Sequence, residues 1–218
     1  MNDPFIHHLL DSEKILDVIE SIIGPDIALF GAHYIAKKPH DVKPVGWHQD
    51  GSYWPLEPME VVSVWLAGTD SNVENACMRV IPGSHLEKAR QHVETFHEKN
   101  LLARGQSIKD IEESHAVDLE LMAGQFSLHN ERTIHGSLAN QSDRPRIGYA
   151  LFFIPTYVRS TIGRRGAWLV RGEDRYGHWD VDPTPAGDRD PEIFKYMQEC
   201  YARYVSASVN QEATGVHK

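Results

Sequence analysis

A histidine and an aspartate stand two positions apart in the stretch GWHQDGSYWP, residues 46–55. In a β-strand, residues i and i+2 project from the same face, so His48 and Asp50 could offer a nitrogen and an oxygen to one metal ion. An isolated pair of this kind also occurs in ordinary polar turns. The pair alone therefore leaves a metal site and a solvated turn as open alternatives, and a third ligand is needed to choose between them.

The richest source of a third ligand is the stretch GQFSLHNERTIHGSLANQSDRPRIGYALFF, residues 124–153. It contains His129 and His135, and Arg146 begins an apolar segment eleven residues after His135. A cation that enters a β-core needs an anion there. A small dicarboxylate that chelates the same metal would account for Arg146. Two histidines and one carboxylate on one face of an ion are typical of non-haem Fe(II) oxygenases.

Charge and composition narrow the class of partners. The chain has 218 residues, with 22 Lys and Arg against 31 Asp and Glu, which gives a formal charge of −9. We therefore expect no nucleic-acid partner, because no basic patch could hold a phosphate backbone. Two cysteines and an N-terminus without signal-peptide features predict a reducing, cytoplasmic compartment. No stretch approaches the roughly 18 apolar residues of a membrane span, so no membrane partner is expected.

Three segments are expected to form helices. Residues 11–23, DSEKILDVIESII, carry apolar side chains at helical spacing and are followed by Gly24, a typical helix stop. Residues 85–103 and 190–205 are predicted as the other two helices.

Short apolar segments dominate the rest of the chain. The segments rich in β-branched and aromatic residues, which we predict as strands, are 26–36, 60–68, 76–82, 115–121, 125–130 and 146–155. Strands without a helix after each one favour an antiparallel sandwich or barrel over a doubly wound sheet. Because there is no repeat or linker, a single domain over residues 1–218 is expected.

Five motifs occur in an order found in a known family: WHQDGSYWPLEP, VSVWLAGTD, ENACMRVIPGSH, HGSLANQSDRPRIGYALFF and LVRGEDRYGHW. From about residue 27 to about residue 180, the chain resembles the phytanoyl-CoA dioxygenase family of Fe(II)- and 2-oxoglutarate-dependent oxygenases. The resemblance implies a mainly β fold, the double-stranded β-helix or cupin-like jelly roll, with flanking α-helices. It also implies Fe(II) as cofactor, with 2-oxoglutarate and O₂ as co-substrates.

The resemblance assigns roles to particular residues. The implied metal ligands are His48, Asp50 and His135. Arg146 matches the residue that pairs with the distal carboxylate of 2-oxoglutarate, where a planar guanidinium can bind both oxygens. Trp65 and Ser137 match positions that help to hold this co-substrate, with core packing and a turn as their open alternatives. His129 is expected to pack against or support the ligands rather than to bind the metal.

Four residues are candidates for lining the substrate mouth: Tyr53, Trp54, Arg79 and Arg171. A purely structural role stays open for each of them. Arg171 lies in the segment 169–180. The composition of this segment suggests a charged surface loop, whereas the family resemblance suggests a segment that folds over the mouth of the barrel. We expect no catalytic residue beyond the metal ligands.

The implied activity is oxidation, most simply hydroxylation, of an unactivated C–H bond in a small organic molecule, with release of succinate and CO₂. The carboxylate of Asp50 disfavours halogenation, because similar halogenases replace it with a small residue that leaves room for chloride. Desaturation, epoxidation and ring closure stay open, since they depend on positioning that no motif records. Two other classes also stay open: a non-catalytic protein that binds metal and 2-oxoglutarate, and a cupin-like metalloenzyme that does not use 2-oxoglutarate.

One departure from the family pattern concerns the N-terminus. Members of the family usually begin with a further stretch ahead of the helix predicted at residues 11–23, and we expect this chain to lack it. Two explanations stay open: a trimmed form of the protein, or a more open substrate channel. The identity of the substrate and the oligomeric state stay open, with a homo-oligomer as one option.

Overall fold

The computed structural model describes residue 9 and residues 12–93, 100–101, 107–187 and 189–214, with side chains up to residue 203. The helices are α1 (Glu13–Ile23) and α2 (Pro191–Thr214). The strands are β1 (Ile27–Lys37), β2 (Val45–His48), β3 (Leu56–Glu57), β4 (Val62–Ala67), β5 (Met78–Val80), β6 (Val117–Leu119), β7 (Phe126–Asn130), β8 (His135–Ser137), β9 (Arg146–Pro155), β10 (Arg159–Ser160), β11 (Gly166–Arg171) and β12 (Asp180–Val181).

Helix α1 confirms the helix predicted over residues 11–23. Its apolar residues Ile15, Leu16 and Ile19 are buried, as the helical spacing requires. Ser12 is extended at the N-cap, and Gly24 ends the helix with a φ of 85°, a conformation that glycine adopts at little cost. The helix therefore has one apolar face and defined ends.

Helix α2 confirms the prediction for residues 190–205, although the helix extends further along the chain. The helix predicted for residues 85–103 is wrong in its described part. There, only Ser84–Leu86 forms a short 3₁₀ helix, and Val93 pairs with Ser107 in an isolated β-bridge. Residues 94–99 and 102–103 of that prediction lie outside the described residues. Within the described chain, no helix is long and apolar enough to cross a membrane.

The chain divides into two compact units. The first unit comprises Met1–Phe30, Pro55–Pro58 and Ile154–Lys218, and the second comprises Gly31–Trp54 and Met59–Phe153. In the first unit, β11 pairs antiparallel with the beginning of β1 and parallel with β12, while β10 pairs with β3. The single domain expected over residues 1–218 stays a prediction.

The second unit contains two β-sheets. Strands β1, β9, β4 and β7 are neighbours in one sheet, and β2, β8, β5 and β6 form the other. Strand β4 pairs antiparallel with both β9 and β7, and all its residues are buried. A strand buried on both faces reads as a continuous apolar run, which is why the sequence VSVWLA lacks clear alternation. This architecture confirms the mainly β, jelly-roll fold.

All six predicted strands are present, as β1, β4, β5, β6, β7 and β9. The pairing that matters most for the candidate ligands involves two shorter strands, β2 and β8. Their antiparallel register places His48 opposite His135. The sheet thus brings together two histidines that are far apart in the sequence.

Candidate functional site

Three of the predicted ligands converge in the second unit. The imidazole rings of His48 and His135 lie with their centroids 4.1 Å apart. One ligand atom from each of His48, Asp50 and His135 lies within 4.8 Å of the others, and all three residues are buried. Asp50 does not continue the strand of His48 as expected, because it begins a short 3₁₀ helix, Asp50–Tyr53. The chain therefore turns to direct the carboxylate towards both imidazoles.

Backbone carbonyls determine which ring nitrogen of each histidine carries the proton. Nδ1 of His48 lies 2.8 Å from the carbonyl oxygen of Gly46, and Nδ1 of His135 lies 2.9 Å from that of Thr133. A carbonyl oxygen only accepts, so Nδ1 donates in both rings and Nε2 of a neutral ring keeps its lone pair. Hydrogen bonds of this kind orient metal-binding histidines in proteins.

The two Nε2 atoms face one oxygen of Asp50. Oδ1 of Asp50 lies 3.4 Å from Nε2 of His48 and 3.7 Å from Nε2 of His135. Burial opposes ionisation of Asp50, but His135, His129 and His48 outweigh that penalty and hold its pKa well below the usual range. Burial and the neighbouring His48 lower the pKa of His135 to about 3. Two imidazole nitrogens and a carboxylate oxygen thus lie close to one another, an arrangement that fits a bound cation.

The other oxygen of Asp50 is held by two side chains. Oδ2 accepts a hydrogen bond from Oγ of Ser63 at 3.0 Å, and Nε2 of His129 lies 3.4 Å away. His129 also lies beside His135, with ring centroids 4.6 Å apart. These contacts agree with the expectation that His129 supports the ligands. With Oδ2 occupied in this way, Oδ1 is left to face the two histidines.

Gln49, the residue between the two sequence-adjacent ligands, anchors their loop. Its side chain donates to the carbonyl oxygen of Arg132 at 2.7 Å and accepts from the backbone N–H of Arg90 at 2.8 Å. Its own backbone N–H donates to Nε2 of His92 at 3.0 Å. These bonds also explain why a helix is absent around Arg90. The backbone N–H of Arg90 donates to the side chain of Gln49, whereas in an α-helix it would donate to the carbonyl four residues earlier.

A second group of buried residues, here called the anion pocket, carries hydrogen-bond donors that suit an anion. Arg146, at the start of β9, lies with its guanidinium carbon 4.9 Å from the centroid of the Trp65 ring. Arg146, Trp65 and Ser137 are all buried. Nε of Arg146, Nε1 of Trp65 and Oγ of Ser137 have no hydrogen-bond partner among the described residues. Because buried polar groups are nearly always satisfied, these three donors fit a ligand with carboxylate oxygens.

Two glycines permit the close packing at this site. A Cβ at Gly136 would lie 2.9 Å from the carbonyl oxygen of Val45, so only glycine allows β8 to approach β2 beside His135. A Cβ at Gly148 would lie 2.3 Å from the ring of Trp65. The absence of a side chain at Gly148 is therefore what lets the indole lie across β9.

Aromatic side chains surround the ligand loop. The ring of Tyr53 lies 6.0 Å from that of His48, and the ring of Trp54 lies 4.7 Å from that of Phe152. His33 of β1 also contacts Phe152, with ring centroids 5.5 Å apart. The ring of Tyr53 thus lies beside the predicted ligand His48, and Trp54 packs against Phe152. Their contact with a substrate stays a prediction.

The two arginines suggested for the substrate mouth are engaged elsewhere. Arg79 pairs with Glu113 at 3.0 Å and Asp118 at 3.2 Å. Arg171, in the first unit, pairs with Asp17 at 2.8 Å and Glu20 at 2.7 Å on α1. The surface-loop interpretation is wrong for the beginning of the segment 169–180, because its first residues belong to strand β11. A role for either arginine at the substrate mouth stays a prediction.

Sequence reasoning missed several residues that hold the site together. Ser63 and Gln49 lie within two of the motifs, but their roles depend on contacts across the fold that the motifs do not specify. Lys37 is fully buried at the end of β1. No sequence signal predicted this burial: alternation along HYIAK places residues 33, 35 and 37 on one strand face, but residue 33 of that face is exposed.

Comparisons with known proteins agree with this geometry. The sequence model of the phytanoyl-CoA dioxygenase (PhyH) family matches residues 2–148. A probable alpha-ketoglutarate-dependent hypophosphite dioxygenase from Stutzerimonas stutzeri is 29% identical over 181 residues, which cover 80% of this chain and 58% of that protein. A phytanoyl-CoA dioxygenase domain-containing protein 1 homolog from Dictyostelium discoideum is 34% identical over 148 residues, which cover 66% of this chain and 52% of that protein.

Among solved structures, apo ThoJ, a non-heme monooxygenase, superimposes with a TM-score of 0.80 and 32% identity, covering 94% of this chain and 75% of that one. A jelly roll with a buried cluster of two histidines and one carboxylate is typical of non-haem iron oxygenases. Within that class, the chain belongs to the phytanoyl-CoA dioxygenase family. It spans between 52% and 58% of the length of these two curated relatives.

Proposed function

We propose that this protein is a non-haem Fe(II)- and 2-oxoglutarate-dependent dioxygenase that hydroxylates a C–H bond of a small organic molecule. The overall reaction combines the substrate, 2-oxoglutarate and O₂ to give the hydroxylated product, succinate and CO₂. The observation that carries the proposal is the presence, in one compact unit, of both a complete ligand cluster and a buried cationic pocket with unsatisfied donors. The ligand cluster would hold a metal, and the cationic pocket would hold a co-substrate.

The ligand cluster would hold Fe(II) through Nε2 of His48, Nε2 of His135 and Oδ1 of Asp50. Two imidazole nitrogens and one carboxylate oxygen form the donor set of non-haem Fe(II) oxygenases, which leaves positions for other ligands. When bound, the iron supplies the oxidising chemistry, coupled to decarboxylation of 2-oxoglutarate. Ser63 and His129 fix the orientation of Asp50, so that the ligands are in place before the metal arrives.

Arg146 would bind the distal carboxylate of 2-oxoglutarate. Its guanidinium is planar and presents donors that match both carboxylate oxygens. The indole of Trp65 covers the guanidinium, and Nε1 of Trp65 and Oγ of Ser137 supply further donors. Burial of all three residues excludes water from this end of the pocket, which strengthens the charge interaction.

Hydroxylation is the outcome that the ligand set favours over halogenation. A halogenase of similar architecture needs a vacant position where this chain has Asp50, and here the carboxylate is present and held by Ser63. Desaturation, epoxidation and ring closure use the same metal centre and differ only in substrate positioning. Product analysis would distinguish them.

The substrate is proposed to be small and predominantly uncharged. Tyr53, Trp54 and Phe152 give the region beside the ligand loop an aromatic character. Arg79 is already paired with carboxylates, so it adds no free positive charge for a polyphosphate or coenzyme A group. The names of the relatives indicate different substrates, including hypophosphite for the Stutzerimonas stutzeri protein, so membership of the family does not specify the substrate.

We also propose a cytoplasmic location, because Cys77 and Cys200 are free thiols, which suits a reducing compartment. The net charge of −9 favours a small molecule over nucleic acid as the partner. A homo-oligomer is a further proposal that size measurements in solution would test.

Two alternatives make different predictions. A non-catalytic protein that binds iron and 2-oxoglutarate would release no succinate with any substrate. A cupin-like metalloenzyme that does not use 2-oxoglutarate would keep its activity after Arg146→Met. The buried donors of Arg146 and Ser137 weigh against the second alternative, because it gives them no ligand.

The first test needs no knowledge of the substrate. Apo protein is mixed anaerobically with Fe(II) and 2-oxoglutarate, and the weak visible charge-transfer band of the iron chelate is recorded. We expect a band in the wild type and none in His135→Ala. Succinate in place of 2-oxoglutarate should give no band, because it lacks the 2-oxo group needed for chelation. A folded, iron-loaded wild-type protein without the band would contradict the proposal.

A further inference from the structure

Lys37 carries a buried ammonium group that has no carboxylate partner among the described residues. Its side chain, at the end of β1, is 0% exposed. Among the described residues, no carboxylate oxygen lies within 4.0 Å of its ammonium group. The ammonium instead donates to two backbone carbonyls, that of Ser137 at 3.4 Å and that of Leu138. Burying a charge in this way is costly unless something compensates for it, so Lys37 requires an explanation.

A second buried cation lies near Lys37. Arg146 also has no ion pair among the described residues, and its Nε lacks a hydrogen-bond partner there. Burial first, and then the positive charge of Arg146, lower the pKa of Lys37 to about 7, while Asp41 raises it. Two neighbouring cations in a dry pocket repel each other. A bound anion would relieve this repulsion.

The contacts of Lys37 link it to the other donors of the pocket. The carbonyl that it binds belongs to Ser137, whose Oγ is buried and has no partner among the described residues. Ser137 ends β8, two residues after the ligand His135. Lys37 therefore holds the main chain at the point where the ligand strand meets the anion pocket.

We propose that Lys37 is a positioning residue for the distal carboxylate of the co-substrate. This inference rests on the proposed use of 2-oxoglutarate. The ammonium group holds the carbonyl end of β8, so that Oγ of Ser137 faces the carboxylate bound by Arg146. It also adds a second positive charge to the pocket, which favours a dicarboxylate over a 2-oxo acid that has an apolar end.

The test compares two ligands in two variants. Lys37→Met removes the charge and keeps an unbranched side chain that is one atom shorter, and Lys38→Met changes the adjacent exposed lysine as a matched control. Affinity is measured anaerobically on the iron-loaded protein from the charge-transfer band. The ligands are 2-oxoglutarate and 2-oxopentanoate, which chelates in the same way but carries a methyl group where 2-oxoglutarate has its distal carboxylate.

We expect Lys37→Met to bind 2-oxoglutarate about tenfold more weakly than the wild type, as loss of one hydrogen-bonded charge implies. Its affinity for 2-oxopentanoate and for Fe(II) should be unchanged, and Lys38→Met should match the wild type throughout. Equal 2-oxoglutarate affinity in the wild type and Lys37→Met would overturn the proposal. Equal weakening of both ligands would also overturn it, because a general structural role would affect both.

A measurement on the wild type keeps the proposal testable if Lys37→Met does not fold. Among the described residues, the groups that face Lys37 are Arg146 of β9, Asp41 after β1, and the carbonyls of Ser137 in β8 and of Leu138 just after it. A carboxylate bound among them should raise the pKa of Lys37. At pH 8, calorimetry in buffers of different ionisation enthalpy should then show more proton uptake with 2-oxoglutarate than with 2-oxopentanoate. Equal proton uptake would overturn the proposal.

The outcomes separate this inference from the proposed function. Absence of a band with either ligand in the folded, iron-loaded wild type would overturn the proposed function and this inference with it. A normal wild-type band, together with an unaffected Lys37→Met, would overturn the inference alone.

Discussion

The ligand cluster and the anion pocket lie in the same unit, but they differ in how well their polar atoms are satisfied. In the ligand cluster, Nδ1 of His48 and Nδ1 of His135 are bound to backbone carbonyls. Oδ2 of Asp50 is bound to Ser63. Only the atoms that face one another are left for a metal. The protein itself therefore determines the orientation of each ligand.

In the anion pocket, the polar atoms have fewer partners. Nε of Arg146, Oγ of Ser137 and Nε1 of Trp65 have none among the described residues, and Lys37 and Arg146 form no ion pair there. We infer that the fold alone orients the ligand cluster, whereas the donors of the anion pocket would find their hydrogen-bond partners in a bound anion. Mutations in the two regions should therefore affect different binding steps, and the following predictions test that division.

The largest effect is expected from loss of a ligand. His135→Ala removes one of the nitrogens that face Asp50, and we expect Fe(II) affinity to fall by at least about 100-fold, with all activity lost. Metal content after dialysis against Fe(II) of known concentration measures the change. His85→Ala, which alters an exposed histidine, is the control. Unchanged Fe(II) affinity in His135→Ala would rule out the metal centre as described.

Arg146→Met should affect the other region. We expect 2-oxoglutarate affinity to fall about 100-fold, since a buried charge-assisted hydrogen bond contributes roughly 2 to 3 kcal/mol. Fe(II) affinity should stay unchanged, because the ligand cluster is oriented independently. Titration of the charge-transfer band gives both values. Arg171→Met, which alters an arginine paired with Asp17 and Glu20, serves as the control. If Arg146→Met weakened the affinity for Fe(II) as well as for 2-oxoglutarate, the two regions would not act independently.

A smaller effect is expected from the residues that hold Asp50. His129→Phe keeps an aromatic ring but removes the nitrogen that lies 3.4 Å from Oδ2 of Asp50. We expect Fe(II) affinity to fall about tenfold, as loss of an orienting partner does at other metal sites. The affinity of the iron-loaded variant for 2-oxoglutarate should not change. Full retention of Fe(II) affinity would show that Ser63 alone orients Asp50.

A further effect, of similar size, concerns stability and pH. The pKa of Lys37 is lowered from an ordinary value of 10.5 to about 7, so between these values the unfolded chain binds more protons than the folded one. The free energy of unfolding should therefore rise with pH across this window. From pH 7 to pH 8.5, the wild type should gain about 1 to 2 kcal/mol relative to Lys37→Met.

Urea denaturation at the two pH values measures this difference, without metal or 2-oxoglutarate present. Lys38→Met should follow the wild type, because Lys38 is exposed. Parallel pH dependence in the wild type and Lys37→Met would mean that the folded protein does not perturb Lys37. Burial and the charge of Arg146 would then not oppose protonation of Lys37, contrary to the repulsion inferred for the pocket without a bound anion.

Sequence patterns predicted the local elements well where the chain buries one face. Helix α1 and strands such as β9 follow from the spacing of their apolar residues. The same reasoning failed over the described part of residues 85–103, where Val93 pairs with Ser107 instead of forming a helix. Helical propensity is a weak prior, and contacts between distant residues outweighed it here.

The sequence by itself determined the chemical types at the site: the pair His48 and Asp50, a later His135 and an arginine at the start of an apolar strand. It also carried the family resemblance, because the order of the five motifs can be read from the sequence without a structure. Tertiary structure alone decided which oxygen of Asp50 faces the histidines, and that Lys37 lies buried near Arg146. These features depend on strand register and on packing between residues that are far apart in the chain, and no local pattern specifies either.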